Sequence, residues 1–344
     1  MTTVTGGQLV AEALVEKEVE TIFTLSGGHI TPIYQFLEDT DITLFDTRHE
    51  QAALFMAEAW GKMTRKPAVA MVTAGPGFTN ALTGVASAFF SNTPMVLIAG
   101  CVGLEHKEKL DLQDMFQDPV IAPMVKKTLV CQKTERVLEF VDMAFRIAGS
   151  GRPGPVYLEF PVDVLNTVIE RETAKKIETV IESRPADLTG AEKMLEMIGE
   201  AEKPVVIAGT GVWQAGAEAE LTAFAEQTGL PIFTTLSGRG TIPDTHPQCF
   251  EGALAIRPGG AFAAYLETDL VVVLGTRISL YYMFGDVFNP AARMVQVDIL
   301  PEEIGRNRHI DLPIVSDLKA FLGVCNTMIA DKGLAGNLTQ RFAG

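Results

Sequence analysis

The sequence predicts an α/β protein made of two doubly wound domains, each built on a mainly parallel sheet. Strand-sized apolar runs alternate with helix-sized amphipathic runs along almost the whole chain. Most of the strand-sized runs are apolar throughout, which is typical of strands buried on both faces. A proline-containing, charged stretch interrupts this pattern once, over residues 161–189. We therefore expect a first domain over 1–165, a solvated linker over 166–189 and a second domain over 190–344.

The bulk composition excludes several classes of protein. The formal net charge of −15 argues against a nucleic-acid groove, which needs a basic face. The N-terminus lacks the pattern of a signal peptide, and no apolar run reaches the roughly 20 residues of a membrane span. The four cysteines are far apart and form no CxxC pair, so neither a disulfide nor a zinc site is expected. We expect a cytoplasmic protein with no nucleic-acid or membrane partner.

In the first half, the expected elements follow one another in strand, turn and helix order. They are a helix over 7–18, strands over 21–25 and 42–45, a helix over 49–63, a strand over 68–72, a glycine turn over 73–77, a helix over 80–90, a strand over 94–98, a helix over 134–148 and a strand over 156–160. Pro32 suits the first turn of a further helix.

The second half repeats the pattern. The expected elements are a strand over 204–208, a helix over 215–228, strands over 231–233, 269–274 and 294–298, and a helix over 318–328. No short-period sequence repeat accompanies this repetition of architecture.

Glu50 stands at the expected start of an apolar helix, in the stretch Asp46–Ala53. One interpretation is ordinary helix chemistry: Asp46 or Thr47 caps the helix, and an acidic first turn favours the macrodipole. The other is catalytic, because a carboxyl group kept from water can exchange a proton near neutral pH.

Glycine turns follow three of the strands. Residues 73–80 resemble a dinucleotide fingerprint, but Asn80 stands where its third glycine belongs. Residues 26–29 form a second such turn that contains His29, and residues 209–214 a third, in which Gln214 replaces the last glycine. Each is either a tight strand-to-helix turn or a place where a ligand approaches the backbone closely.

Other polar candidates lie after strands or in one polar segment. Arg277 and Asp298 stand at strand ends, where open α/β sheets bind ligands, and Asp298 is either a ribose acceptor or a loop cap. The segment 112–118 carries two amides, Gln113 and Gln117, which are solvated surface groups by default.

Taken together, these segments resemble the thiamine-diphosphate-dependent family of acetolactate synthases and 2-hydroxyacyl-CoA lyases. The matching segments are FTLSGGHITPIY, DTRHEQAALFMAEAW, VTAGPGFTNALTGVASA, GRPGPVYLEFPVDVLN, PVVIAGTGV, GRGTIPDTHP, DLVVVLGTRI and VQVDI. The resemblance runs in order across nearly the whole chain. It implies a pyrimidine-binding domain followed by a central domain.

The resemblance also implies roles for single residues. Glu50 corresponds to the glutamate that hydrogen-bonds N1′ of the cofactor's aminopyrimidine, where its proton favours the imino tautomer that deprotonates C2. Gln113 corresponds to the active-site glutamine, with Gln117 as the alternative because it follows a phenylalanine. The remaining implied positions are Pro76 and Asn80 near the pyrimidine, Gly27, Gly28 and His29 facing the reacting carbon, and Arg152, Gly209, Arg277 and Asp298 around a central-domain nucleotide, which is ADP in some members and FAD in others.

The family's diphosphate-binding domain, with its Gly-Asp-Gly motif and later Asn, has no counterpart in these 344 residues. The resemblance therefore implies that thiamine diphosphate is shared with a partner chain, which supplies Mg²⁺ and the diphosphate site, around a homo-oligomeric core. We expect no metal ligands here. A shortened chain is a second explanation, and a noncatalytic nucleotide-binding regulatory or scaffold relative is a third. A C–C lyase or carboligase acting next to a carbonyl on a small molecule is the leading interpretation.

Overall fold

A computed structural model describes residues 2–176, 185–252 and 260–342. The chain divides into two compact units, Met1–Ile181 and Glu182–Gly344. Part of the predicted linker, residues 177–184, lies outside the described residues. Across the three described segments, no helix is both long enough and apolar enough to cross a lipid bilayer.

The first unit contains a six-stranded parallel sheet. The described strands of the whole unit are β1 (Thr3–Thr5), β2 (Thr21–Leu25), β3 (Thr43–Asp46), β4 (Ala68–Val72), β5 (Met95–Cys101), β6 (Lys127–Val130), β7 (Pro155–Pro161) and β8 (Val168–Glu170). The order in the sheet is β3-β2-β4-β5-β7-β6. β1 and β8 form a separate antiparallel pair, so the start of the predicted linker is tied to the N-terminus of the first unit.

Helices cover both faces of this sheet. They are α1 (Gly6–Glu16), α2 (Thr31–Leu37), α3 (Glu50–Thr64), α4 (Pro76–Ser91), α5 (Gln117–Ile121), α6 (Val137–Gly149) and α7 (Val162–Asn166). Alternate strand residues face opposite cores: Val69 and Met71 pack with α1, α2, α6 and α7, whereas Ala70 and Val72 pack with α3, α4 and α5. The predicted doubly wound architecture is confirmed for this unit.

The second unit has the same architecture. Its described elements are α8 (Leu188–Glu200), β9 (Pro204–Ala208), α9 (Thr210–Ala215), α10 (Glu218–Thr228), β10 (Ile232–Thr234), β11 (Cys249–Glu251), α11 (Gly260–Glu267), β12 (Leu270–Leu274), β13 (Arg293–Asp298), β14 (Leu312–Val315), α12 (Leu318–Asp331) and α13 (Ala335–Phe342). The six strands are parallel in the order β11-β10-β9-β12-β13-β14, with a buried apolar core on each face.

The element boundaries differ from the predicted ones mainly at helix starts. β2, β4 and β9 have the predicted bounds. The helix expected to begin at residue 80 begins at Pro76, because proline is accommodated in a first helical turn, where its missing N–H has no partner to lose. The helix expected over 215–228 is two helices, α9 and α10, separated at Gly216, whose φ is +66°.

A close contact between α3 and α4 depends on the absence of a side chain at Gly84. A Cβ atom at Gly84 would lie closer than 3.0 Å to Cβ of Leu54, which is fully buried in the core on that face of the sheet. Because Leu54 is packed among α4 and the core residues on this face of the sheet, its side chain has no free space into which to move. The two helices therefore approach as closely as their backbones allow.

We expect Gly84→Ala to lower the free energy of unfolding of the first unit by about 1–3 kcal/mol, because the added methyl group forces α3 and α4 apart. Gly149→Ala, at the exposed end of α6, is the matched control: its new Cβ would meet only Pro67 Cγ at 3.6 Å, an ordinary contact. Urea denaturation followed by circular dichroism measures both. Equal midpoints for the two variants would contradict the tight α3–α4 contact.

Candidate active site

The candidate site lies where the strand order of the first sheet reverses direction. Within this sheet the chain forms β2 first, then β3 on one side of β2, and then β4 on the other side of β2. Ligands in open α/β sheets bind at the carboxyl ends of the strands beside such a reversal. Gly27 follows β2, Glu50 follows β3 and Gly75 follows β4, so the topology brings these three segments to one edge of the sheet.

Glu50 is a buried carboxylate with one oxygen engaged. It is the first residue of α3, and its exposed fraction is 7%. Oε2 accepts a hydrogen bond of 3.0 Å from Nδ2 of Asn80 on α4. Within the part of the chain that the structure describes, Oε1 accepts no hydrogen bond. Protein atoms do not enclose Oε1 completely, so a hydrogen-bonding ligand can reach it.

The cap of α3 differs from the predicted one. The sequence pointed to Asp46 or Thr47, but the N-cap is His49, whose Nδ1 accepts from the backbone N–H of Gln51 at 3.2 Å. Thr47 instead donates to the backbone carbonyls of Thr24 and His49. The cap and Glu50 are therefore different residues, and Glu50 is not needed to satisfy the helix start.

The turn after β4 requires glycine at two positions. Gly75 has a φ of +58°, and a Cβ there would lie 2.7 Å from Cβ of Gln113. A Cβ at Gly77 would lie 2.7 Å from Cγ2 of Thr73 and 3.3 Å from Oε1 of Glu50. Pro76 is exposed in the first turn of α4. The turn thus keeps the space in front of Oε1 narrow without filling it.

His29 lies in a short 3₁₀ turn, Gly28–Ile30, after β2. Its Nδ1 is 3.3 Å from Oγ1 of Thr73. Burial lowers the pKa of His29, while the Asp111 carboxylate, the backbone of Leu112 and the side chain of Gln113 act in the opposite direction. The ring is therefore a neutral imidazole at pH 7.

The two glycines before His29 serve different purposes. Gly27 packs directly on the Thr73 side chain, where any Cβ would collide with it. A Cβ at Gly28 would meet no atom within 4 Å, so this side of the turn faces open space. Thr73 thus contacts the turns after β2 and β4 at once. No sequence signal marks Thr73 as part of the site, since threonine is common after a buried strand.

The two amides of the 112–118 segment occupy different environments. Gln113 is half-buried in the left-handed conformation, with a φ of +65°, beside Gly75 and within interaction range of His29. Gln117 is 1% exposed, and all its polar atoms bond to protein. The sequence default of a solvated surface group is wrong for Gln117. Gln113 remains the amide that lies beside the candidate site.

The second unit places three predicted positions at the carboxyl ends of adjacent strands. Gly209 follows β9, Arg277 lies beyond β12 and Asp298 ends β13. A carboxylate oxygen of Asp298 accepts from the backbone N–H of Leu300 at 2.9 Å, which is the loop-cap geometry. Nε of Arg277 lies 3.5 Å from Oε2 of Glu303.

Arg152, which the resemblance associates with the central-domain nucleotide, belongs to the first unit, where its Nε donates to Oδ1 of Asn92 at 2.6 Å. Among the described residues, no group of three or more His, Cys, Asp or Glu side chains is arranged to hold a metal ion.

Comparison with known proteins gives the same two-part organisation. Residues 4–122 match the family described as "Thiamine pyrophosphate enzyme, N-terminal TPP binding domain". Residues 191–324 match "Thiamine pyrophosphate enzyme, central domain".

Similar full-length proteins include three from different microorganisms. A probable acetolactate synthase large subunit from Methanocaldococcus jannaschii is 34% identical over 334 residues, covering 92% of this chain and 55% of the relative. An acetolactate synthase large subunit from Corynebacterium glutamicum is 34% identical over 328 residues, covering 92% of this chain and 51% of the relative. An acetolactate synthase from Mycobacterium avium is 36% identical over 344 residues, covering 97% and 54%.

The chain spans about half the length of the curated relatives it matches. The two family matches follow each other in order along the chain. With the strand order and the carboxylate-bearing edge of the first sheet, these matches show that the chain belongs to the thiamine pyrophosphate enzyme family, of which it contains the N-terminal and central domains.

Proposed function

We propose that this chain supplies the aminopyrimidine-binding half of the active site of a thiamine-diphosphate-dependent enzyme that makes or breaks a C–C bond next to a carbonyl. The observation that carries the proposal is Glu50: a buried carboxylate with one oxygen held by Asn80 and the other open toward the glycine turn of Gly75. A carboxyl group in this setting can hold or release a proton at a ring nitrogen.

The residues around Glu50 fit the pyrimidine end of the cofactor. Thiamine diphosphate, when bound, supplies a nucleophilic thiazolium carbon and an aminopyrimidine that activates it. Glu50 would exchange a proton with N1′ through its open Oε1, while Asn80 keeps the carboxyl group oriented. Gly75 and Gly77 let the flat ring approach the backbone, and Pro76 borders the same turn.

His29 and Gln113 are proposed to act on the substrate. Nδ1 of His29 lies 3.3 Å from Oγ1 of Thr73, and Nε2 is the ring nitrogen that we propose meets a substrate oxygen. Because burial keeps this imidazole neutral, it can donate or accept a proton without a fixed positive charge. Gln113 adds an amide donor and acceptor at the same edge.

The substrate class we propose is a 2-oxo acid. The support is that the relatives are acetolactate synthases or their large subunits, with an identity of 34–36% over most of this chain. The 2-hydroxyacyl-CoA class is the second arm of the assay, since the same residues could serve a thioester substrate.

An exposed face of α3 supports a shared active site. It is called here the apolar face and consists of Ala52, Phe55, Met56, Ala59, Trp60 and Met63. The opposite side of α3 is also apolar and is buried in the core. A surface helix normally carries polar residues on its outer side, so a helix that is apolar on both sides is built to be covered.

We propose that the apolar face docks a diphosphate-binding domain carried by another chain, which would bring the Mg²⁺ and diphosphate site against Glu50 at the start of the same helix. A homo-oligomeric core would place such pairs around a common axis. The edge strand β3 is exposed along its length and adjoins this face, because Phe45 stacks on Phe23 at 5.7 Å and Trp60 meets the same ring at 6.1 Å.

For the central domain we propose a nucleotide site at the carboxyl ends of β9, β12 and β13. The support is the strand order, which reverses between β9 and β12 in the same way as in the first unit. Gly209 and Arg277 lie on the two sides of this reversal, and Asp298 lies one strand further. ADP and FAD share the adenosine diphosphate group that such an edge would bind.

We expect Glu50→Gln to lower kcat by about 10²–10⁴-fold while the fold is retained, because an amide cannot exchange a proton with N1′. The measurement is thiamine-diphosphate-dependent consumption of pyruvate, and separately cleavage of a 2-hydroxyacyl-CoA. It uses this chain purified with a diphosphate-binding chain, identified in a neighbouring reading frame by Gly-Asp-Gly and a later Asn.

The matched control is Glu58→Gln on the same helix. Oγ of Ser91 donates to Oε1 of Glu58 at 2.7 Å, and the glutamine would still offer an acceptor to this hydroxyl. We expect this variant to keep wild-type kcat. Unchanged activity in Glu50→Gln, or a pair of chains that binds no thiamine diphosphate, would sink the proposed function.

We expect Met63→Lys to weaken association with the diphosphate-binding chain by at least about tenfold, because a charge replaces an apolar contact at the interface. Met63 is 71% exposed, so the thermal midpoint of the isolated chain should not change. Sedimentation velocity of the mixture measures the association. Leu188→Lys, at the exposed first residue of α8, is the control. The same weakening in both variants would argue against the apolar face as the docking surface.

We expect the isolated chain to bind ADP or FAD, and Arg277→Ala to weaken that binding by at least about tenfold through loss of a charged hydrogen bond. Isothermal titration with ADP, FAD and CoA is the measurement, with Arg293→Ala, at the opposite end of β13, as control. No heat from any of the three ligands would exclude the site. Tight nucleotide binding without thiamine chemistry in any pair of chains would favour a regulatory or scaffold role.

A further inference from the structure

Gln117 lies directly behind the candidate active site, as the first residue of α5, and it is almost completely enclosed. Its Oε1 accepts a hydrogen bond of 2.9 Å from the backbone N–H of Gly75. Its Nε2 lies 3.0 Å from the carbonyl oxygen of Gly100, 2.9 Å from Oη of Tyr157 and 3.1 Å from Oε2 of Glu159. Every polar atom of this buried amide thus bonds to protein.

The neighbours of Gln117 fix the direction in which its amide points. Burial and the adjacent Glu159 carboxylate raise the pKa of Tyr157, so the phenol keeps its proton and donates it to Oε2 of Glu159 at 2.6 Å. Lys107 Nζ, 4.0 Å from Oε1 of Glu159, adds a positive charge beside that carboxylate. An acceptor carboxylate and a carbonyl require the NH₂ group of Gln117, so its oxygen is turned toward Gly75.

The hydrogen bond to Gly75 acts on the turn that carries the candidate cofactor residues. Gly75 is the N-cap of α4 and has a positive φ of +58°, and among the described residues no side chain caps this helix start. One turn further along α4, Asn80 holds Glu50. The position of the turn relative to Glu50 therefore depends on an acceptor supplied from α5.

The hydrogen bond to Gly100 acts on the other wall of the site. A Cβ at Gly100 would lie 2.5 Å from Cβ of His29, so the end of β5 is the surface against which His29 rests. Gln117 accordingly joins the support of the Gly75 turn to the support of His29 through one rigid, buried side chain.

We propose that Gln117 is a positioning residue that sets the spacing between the Gly75 turn and His29, and that the Glu159 carboxylate and the Gly100 carbonyl orient its amide. The inference rests on the proposed function for its catalytic consequence. It concerns a residue that contacts neither the open oxygen of Glu50 nor His29, and acts only through the backbones of Gly75 and Gly100. Buried polar networks of this kind hold catalytic geometry when every member is satisfied.

The first readout is amide hydrogen exchange at Gly75 in the isolated chain, which requires no thiamine chemistry. We expect Gln117→Met to accelerate exchange at Gly75 by at least about tenfold, because methionine fills the same space without an acceptor. The amide of Leu97 in β5 is the internal reference for global unfolding and should change far less. Tyr157→Phe, which keeps the Gln117–Gly75 hydrogen bond, should leave Gly75 within about twofold of the wild type.

The second readout is steady-state kinetics of the chain with its diphosphate-binding partner. We expect Gln117→Met to lower kcat by about 10–100-fold with little change in the substrate KM, since misplacement of catalytic groups affects the transition state more than substrate binding. The exchanged pair Gln117→Glu with Glu159→Gln keeps an acceptor for Gly75 and the same total charge, but it removes the donor to the Gly100 carbonyl. It should restore the slow exchange at Gly75 and recover little of the lost kcat, because the link to Gly100 stays broken.

The outcomes separate the inference from the proposed function. Unchanged exchange at Gly75 in Gln117→Met overturns the inference whatever the thiamine assay gives. Faster exchange with unchanged kcat also overturns it, because the turn then moves without catalytic effect. Absence of thiamine-dependent activity in the wild-type pair overturns the proposed function, and the catalytic part of the inference falls with it.

Discussion

The close approach of α3 and α4 is the contact on which the candidate active site depends. Glu50 begins one helix and Asn80 lies near the start of the other, and their side chains meet at 3.0 Å. That meeting is possible because Gly84 lets α4 settle directly onto Leu54 of α3. A carboxylate on a flexible loop would adopt many orientations, whereas a carboxylate held between two packed helices keeps one orientation.

Local patterns were sufficient for the architecture and for the place of Glu50. β2, β4 and β9 are apolar runs bounded by turn residues, and their bounds follow from that pattern alone. The cap of α3 was not predictable in the same way. Thr47 has the chemistry of a cap, but the carbonyl of Thr24, on a neighbouring strand, engages its hydroxyl, and the capping role passes to His49. The short strands β6 and β8 also escaped notice, because their pairing with β7 and β1 decides their conformation.

The two glutamines show where sequence reasoning ends for the site. Gln113 and Gln117 stand four residues apart in one polar segment, and the phenylalanine before Gln117 does not indicate which of the two amides is buried. Tyr157 and Glu159, some forty residues away, form hydrogen bonds with Gln117 that stabilise its amide in the interior. Gln113 lies at the edge beside Gly75. An acidic residue in the otherwise apolar strand β7 was the available signal, because a buried carboxylate needs polar partners from elsewhere in the chain.

The apolar face of α3 has a consequence for how the chain behaves in solution. Copies of the chain whose apolar face is uncovered attract one another at short range, while the formal charge of −15 on each copy repels them at longer range. The repulsion extends over about one Debye length, roughly 8 Å at physiological ionic strength, and shrinks as salt is added. The colloidal state of the chain is therefore a function of ionic strength: dilute buffer keeps copies dispersed, and concentrated salt brings their apolar faces together.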